Sequence, residues 1–158
     1  GLEKARALAR REGVALATEL ADLSDWSPAP ASVNAVALIY THLPSGIRAG
    51  AHRRLATGLK PGGWLLLEAF HPAQLAHGSG GPKDADMLYT PEQLDADFAG
   101  LLTPVLSWHG ETVLAEGPGH QGLVKSGIAV ARIRARISVP SDREFDRRTQ
   151  QRANVSDR

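Results

Sequence analysis

The chain has 158 residues, 42% of them hydrophobic and 22% charged, with a net charge of +1. That size and balance describe one globular domain able to bury a core, and the near-neutral charge removes any global electrostatic case for nucleic acid or an anionic membrane as partner. The absence of cysteine excludes disulfides and cysteine nucleophiles, no apolar run reaches the roughly 18 residues of a membrane span, and without a signal-peptide pattern the cytoplasm is the expected location.

Residues GLEKARALARREG open as a helix. Leu2, Ala5, Leu8 and Ala9 form an apolar stripe among charged neighbours, and Gly13 stands where a helix would end. In VALATEL the residues Val14, Leu16, Thr18 and Leu20 alternate with their neighbours, which reads as a strand; DLSDWSPAPAS follows as a loop. AVALIY (35–40) is continuously apolar, the pattern of a parallel strand covered on both faces. After HLPSG, Ser45 is placed to cap a helix in which Ile47, Ala51 and Leu55 recur, with Gly58 beyond its end. Pro61 stops further helix, Gly62 and Gly63 permit a tight turn, and WLLLEAF runs back as a second buried strand. Strand, helix and strand with short connections make a right-handed crossover, so the fold class is α/β with parallel strands.

The next stretch, HPAQLAHGSGGPKDADMLYT, runs about twenty residues without periodicity, a length that points to a functional or disordered loop. TPEQLDADFAGL is a marked helix, with Thr90 as cap, Pro91 at the first position, Gln93 completing a capping box and Leu94, Phe98 and Leu101 as its core stripe. PVLSW and TVLAE are short strands either side of His109-Gly110, and GPGHQG is a second glycine-rich turn. In SGIAVARIRARIS the residues Ala131, Ile133 and Ala135 alternate with Arg132, Arg134 and Arg136; the arginine face reads as a solvated strand surface, with phosphate or RNA binding as the sharper alternative. Residues 1–138 are taken as the domain and 139–158 as a charged, flexible tail. Its NVS sequon has no secretion signal to accompany it.

Ligands of an open parallel sheet bind beyond the carboxyl ends of its strands. Those ends carry Asp22, then Ile39, Tyr40 and His42, then Glu68 to Phe70. A carboxylate inside a core is costly, so Glu68 belongs at a cleft mouth, as a ligand group or paired with a neighbour. Asp22 can accept a hydrogen bond from a bound base or from its own backbone. His42 has the neutral imidazole of a base or an orienting donor, or is a plain loop histidine. The remaining histidines show no metal-ligand spacing, so no metal is expected, and no nucleophile elbow, P-loop or GxGxxG occurs.

Taken together, GLEKARALARREGV, ADLSDW, AVALIYTHLPSGIRAGAHRRLATGLKPGGWLLLEAF, GSGGPKDADMLYT and EGPGHQG resemble the class I S-adenosylmethionine (SAM)-dependent methyltransferases, in their small tellurite-resistance-like branch. The resemblance runs from Gly1 to about Arg136. It implies methyl transfer from SAM to a small-molecule acceptor. Asp22 and Leu23 match the adenine-contacting position, Ile39 and Tyr40 the segment beside the methionine part, and His42 and Glu68 the acceptor rim. HGSGGPKD looks like a lid, and His120 is placed to face the same opening. One departure stands out: the family's first strand, glycine-rich SAM turn and ribose-binding acid have no match here. The expectation is therefore an incomplete Rossmann-like methyltransferase sheet with a C-terminal antiparallel hairpin, an N-terminally truncated piece with impaired cofactor binding, holding SAM weakly or not at all. The alternative is a non-catalytic remnant that binds a partner or forms a homodimer through exposed sheet edges.

Overall fold

A computed structural model describes residues 1–77, 79–115, 121–124 and 131–134; residues 112, 114, 115, 121–124 and 131–134 are described by their backbone alone. Helix α1 (Leu2–Glu12) ends on Gly13 in the left-handed conformation, and the Val14 N–H closes back on the Ala9 carbonyl at 3.0 Å. Of its apolar stripe only Ala9 is buried, and Leu8 is 48% exposed. The segment expected as a first strand, residues 14–20, forms no strand: Val14 is 60%, Leu16 51% and Leu20 90% exposed. A strand exists through its ladder, and among the described residues no neighbour offers one.

The centre of the fold is the crossover. Strand β1 (Val33–Ile39) pairs in parallel with β2 (Leu59–Glu68), joined by helix α2 (Ser45–Thr57). Between the paired positions Val33↔Leu59 and Ala35↔Trp64 the second strand carries extra residues, so Pro61, Gly62 and Gly63 form an irregularity within β2 rather than the expected turn before it. A β-carbon at Gly63 would sit 3.0 Å from the Asn34 carbonyl oxygen and 2.9 Å from that of Lys60, so only glycine lets the two backbones approach. Ser45 does not cap α2. Pro44 occupies the cap position, and the Ser45 N–H is taken instead by the Asp86 carboxylate, 2.9 Å away across the loop.

After β2 the chain makes two 3₁₀ turns (Pro72–Ala76 and Ala85–Met87) and enters α3 (Pro91–Phe98) through the expected capping box of Thr90 and Gln93. Four short strands follow: β3 (Thr103–Leu106), β4 (Thr112–Ala115), β5 (Gln121–Val124) and β6 (Ala131–Arg134). PVLSW and TVLAE do not pair with each other. Strand β6 runs antiparallel between β2 and β3, giving the sheet order β1-β2-β6-β3, while β4 and β5 pair separately. The arginine face, His120 and the 139–158 tail lie outside the described residues and side chains.

The core lies on one face of the sheet. Leu65 and Leu67 of β2, Leu38 of β1, Leu55 and Ala56 of α2, and Leu94 and Phe98 of α3 pack together, with Tyr89 among them. The opposite face is open: Ala35, Ala37 and Ile39 are exposed, as is Trp64, with Leu66 and Glu68 half-buried. Among the described residues neither strand is covered on both faces, contrary to the reading of their unbroken apolar runs. Among the described residues no helix is long and apolar enough to cross a membrane.

Candidate functional site

The parallel pair ends in register, with Ile39 opposite Glu68, and the chain turns out of β1 at Tyr40. Tyr40 has φ +51, a left-handed conformation that a side chain rarely adopts and that costs about 1–3 kcal/mol. It is held there by its N–H, which donates to the Glu68 carbonyl at 2.8 Å, and by its hydroxyl, which donates to the Glu68 carboxylate at 3.1 Å. The tyrosine ring stacks on Phe70 with centroids 5.0 Å apart.

His42 lies two residues on and stacks on the same Phe70, almost parallel at 5.6 Å. Its Nδ1–H donates to the Met87 carbonyl at 2.7 Å. That bond leaves Nε2 as the lone-pair nitrogen, buried and without a partner among the described residues. Burial pushes the imidazole pKa down, against a smaller upward pull from the Met87 carbonyl, so the ring is neutral near pH 7. A neutral imidazole with a fixed tautomer and a bare Nε2 is equipped to take a proton. Glu68, Tyr40, His42 and Phe70 therefore form one cluster at the carboxyl edge of the sheet.

Beside it is a groove of about 460 Å³, lined by Leu20, Ala21, Asp22, Leu23, Leu43 and Ile47. Its walls are mainly aliphatic. The Asp22 carboxylate sits on its margin, fully exposed, accepting the Ser24 N–H at 2.8 Å; the hydrogen bonds from Ser24 hold its pKa below the usual carboxylate value. Arg54 of α2 anchors the floor of this loop, donating to the carbonyls of Leu23 at 2.7 Å, Ser24 at 2.8 Å and Trp26 at 3.2 Å. Leu43 joins the two places, lining the groove immediately after His42.

Of the residues expected at the site, Tyr40, His42 and Glu68 come together, and Asp22 and Leu23 share the neighbouring groove. Ile39 is 52% exposed on the open face and lines neither. The glycine-rich loop is tied down rather than extended: the buried Gln74 amide donates to Ser79 Oγ and the Gly80 carbonyl, both at 3.1 Å. A β-carbon at Gly81 would lie 2.7 Å from the Phe70 ring, so that glycine lets the loop backbone close over the aromatic cluster.

Several residues went unread in the sequence. Tyr89 supports the rim beside Phe70, whose place at the strand end was read, and Leu43 and Ile47 complete the groove. Beneath them Arg48, His52 and Asp97 form a buried group: Arg48 Nε and His52 Nδ1 each lie 2.8 Å from Asp97 Oδ2. Arg48 and His52 stand one helical turn apart on the same side as Ala51 and Leu55. Polar residues set into an apolar stripe are the signal that was available.

No protein-family model matches the chain, and no curated protein matches it in sequence. Solved structures match in fold. One, concerned with the conversion of a disulfide bond into a thioacetal group during echinomycin biosynthesis, has a TM-score of 0.63 at 16% identity, over 92% of this chain and 67% of that one. TehB from Haemophilus influenzae gives 0.56 at 12% identity, over 83% of this chain and 44% of that one. The N-methyltransferase NodS from Bradyrhizobium japonicum gives 0.50 at 16% identity, over 83% and 66% respectively. The chain thus spans 44% to 67% of the length of these structures. At such identities the likeness is one of fold, a mixed α/β architecture with a parallel strand pair.

Proposed function

We propose that the chain is part of a SAM-dependent methyltransferase acting on a small-molecule acceptor. The observation that carries this reading is the convergence of Tyr40, His42 and Glu68 at the carboxyl edge of a parallel strand pair, beside an aliphatic groove with Asp22 on its margin. The groove suits a flat purine: Leu20, Leu23, Leu43 and Ile47 offer apolar walls, and Asp22 offers an acceptor for an exocyclic amino group. The ribose and the methionine carboxylate have no matching glycine-rich turn or acid in this sequence. Asp22 and Leu23 would hold the adenine end, with Tyr40 flanking the methionine part, as the family resemblance implies; Ile39, which the resemblance pairs with Tyr40, lies on the open face away from the groove.

When bound, SAM supplies an electrophilic methyl group. The contribution of this chain is positioning and proton handling. Glu68, oriented by the Tyr40 hydroxyl, would fix a polar acceptor, and Nε2 of His42 would receive the proton that the acceptor sheds. We propose further that the strands completing the cofactor site come from polypeptide beyond these residues. Support comes from β1, which pairs only with β2 among the described strands and so leaves its other edge free.

Calorimetry with S-adenosylhomocysteine tests the reading. The 158-residue chain is expected to bind weakly, with a dissociation constant on the order of 1 mM, equivalent to about 4 kcal/mol. Asp22→Ala should abolish even that heat. Binding that Asp22→Ala leaves intact would contradict the assignment.

A second reading, a partner-binding or homodimerising module without catalysis, draws on the same free edge and on the exposure of Val14, Leu16 and Leu20. Sedimentation velocity separates the two: a defined dimer that Leu20→Asp dissolves would favour the module, and a monomer would count against it.

A further inference from the structure

In the loop that joins the aromatic cluster to the groove, Thr41 to Leu43, the backbone gathers on the Tyr89 hydroxyl, while the His42 side chain reaches the Met87 carbonyl. Among the described residues the Leu43 N–H has a single acceptor, the Tyr89 hydroxyl. The same hydroxyl donates to the Thr41 carbonyl at 3.1 Å, with the Leu43 carbonyl at 3.3 Å as the alternative acceptor. Leu43 is 8% and Tyr89 1% exposed, so water does not substitute for these bonds. Tyr89 is itself tied to the end of β2, its N–H donating to the Phe70 carbonyl at 3.0 Å.

The ring is fixed as firmly as the hydroxyl. The Arg48 guanidinium lies 5.3 Å from its centroid, and His52 meets it edge-on at 5.8 Å. Both residues are gathered by Asp97 of α3, and His52 also stacks on Phe98 at 4.9 Å. A buried ion pair of this kind adds little net stability over an apolar packing, so its value lies in where it places its neighbours.

We infer that Tyr89 is a positioning residue for the site: its hydroxyl sets the path of Thr41–Leu43, and hence the seat of His42 on Phe70 and of Leu43 in the groove wall. Arg48, Asp97 and His52 lock the ring that carries that hydroxyl. The inference rests on the methyltransferase reading only for its claim that this loop is the rim of a ligand site.

Tyr89→Phe isolates the point, because it removes the hydroxyl and leaves the ring between Arg48 and His52. Amide hydrogen exchange should show Leu43 accelerating by about 5–30-fold, the consequence of losing its one hydrogen bond. Core amides of α2, such as those of Ala51 and Leu55, should change by less than about 3-fold, since local opening is read separately from global unfolding. Nitrogen NMR should report a His42 tautomer that is no longer single. In the same variant, affinity for S-adenosylhomocysteine should fall several-fold. Unchanged exchange at Leu43, or equal acceleration throughout α2, would overturn the inference. Ligand binding that Asp22→Ala leaves intact would instead overturn the methyltransferase reading, and the exchange at Leu43 would still decide whether Tyr89 holds the loop.

Discussion

Residues 2–20 and residues 33–101 carry comparable apolar patterns and meet different fates. In the second region Leu65, Leu67 and Leu59 are at most 1% exposed, enclosed by α2 and α3. In the first, Leu20 is 90% and Val14 60% exposed, and α1 buries one alanine. The difference lies in available partners rather than in side-chain chemistry. Alternation identifies which face of a segment is apolar, but a strand forms only where a neighbour supplies a ladder, and a stripe is buried only where another layer meets it.

The largest effect that would sharpen this contrast is expected from Asp97→Ala. It strands the Arg48 charge, whose side chain is 10% exposed, in the core, and should destabilise by about 3–5 kcal/mol in chemical denaturation. Leu65→Ala should cost about 2–5 kcal/mol by emptying a fully enclosed position. A loss under half a unit in either variant would show that the second region is less tightly packed than its geometry indicates.

A smaller effect follows from pH. Burial depresses the His52 pKa below its unfolded value of about 6.5, outweighing the upward pull of Asp97, and Arg48 presses the same way as burial. A depressed folded-state pKa means that the unfolded chain binds the proton more readily. This stability is fully present above the unfolded pKa and is lost as pH falls through the lower folded-state value. His42 adds a contribution of the same sign. Denaturation midpoints should therefore fall from pH 7.5 to pH 5, and His52→Gln should flatten that slope; a midpoint that rises on acidification would contradict the assignment. The smallest effect is expected at Leu20→Ser, within about 0.5 kcal/mol of wild type because this side chain is 90% exposed. A loss of 2 kcal/mol or more there would erase the contrast between the regions.

Much of the second region was legible because its signals are local. The apolar run of β1 and the Thr90 capping box each lie within a few residues and form where their patterns placed them, whereas Pro61, Gly62 and Gly63 make an irregularity inside β2 rather than a turn before it. Ser45 misled because the same residue type serves at a cap or just inside it, and only the position of Asp86, 41 residues away, decides. The candidate site was partly legible for a similar reason. Strand ends locate Tyr40 and Glu68, but no pattern announces that Tyr89 crosses 46 residues of chain to hold Leu43, or that Asp97 gathers Arg48 and His52. The open face of β2 was hidden by its leucines. Leu66 and Glu68 share it, which answers how an apolar strand carries an acid: the acid never enters the core.

The central claim is that the edge holding Tyr40, His42 and Glu68 and the groove beside Asp22 form one continuous binding surface for an adenosyl ligand. Backbone NMR during titration with S-adenosylhomocysteine tests it most directly. The account predicts shift changes concentrated at residues 20–23, 40–43 and 68–70, saturating together. Changes elsewhere with these three stretches silent, or stretches that titrate with different midpoints, would contradict it.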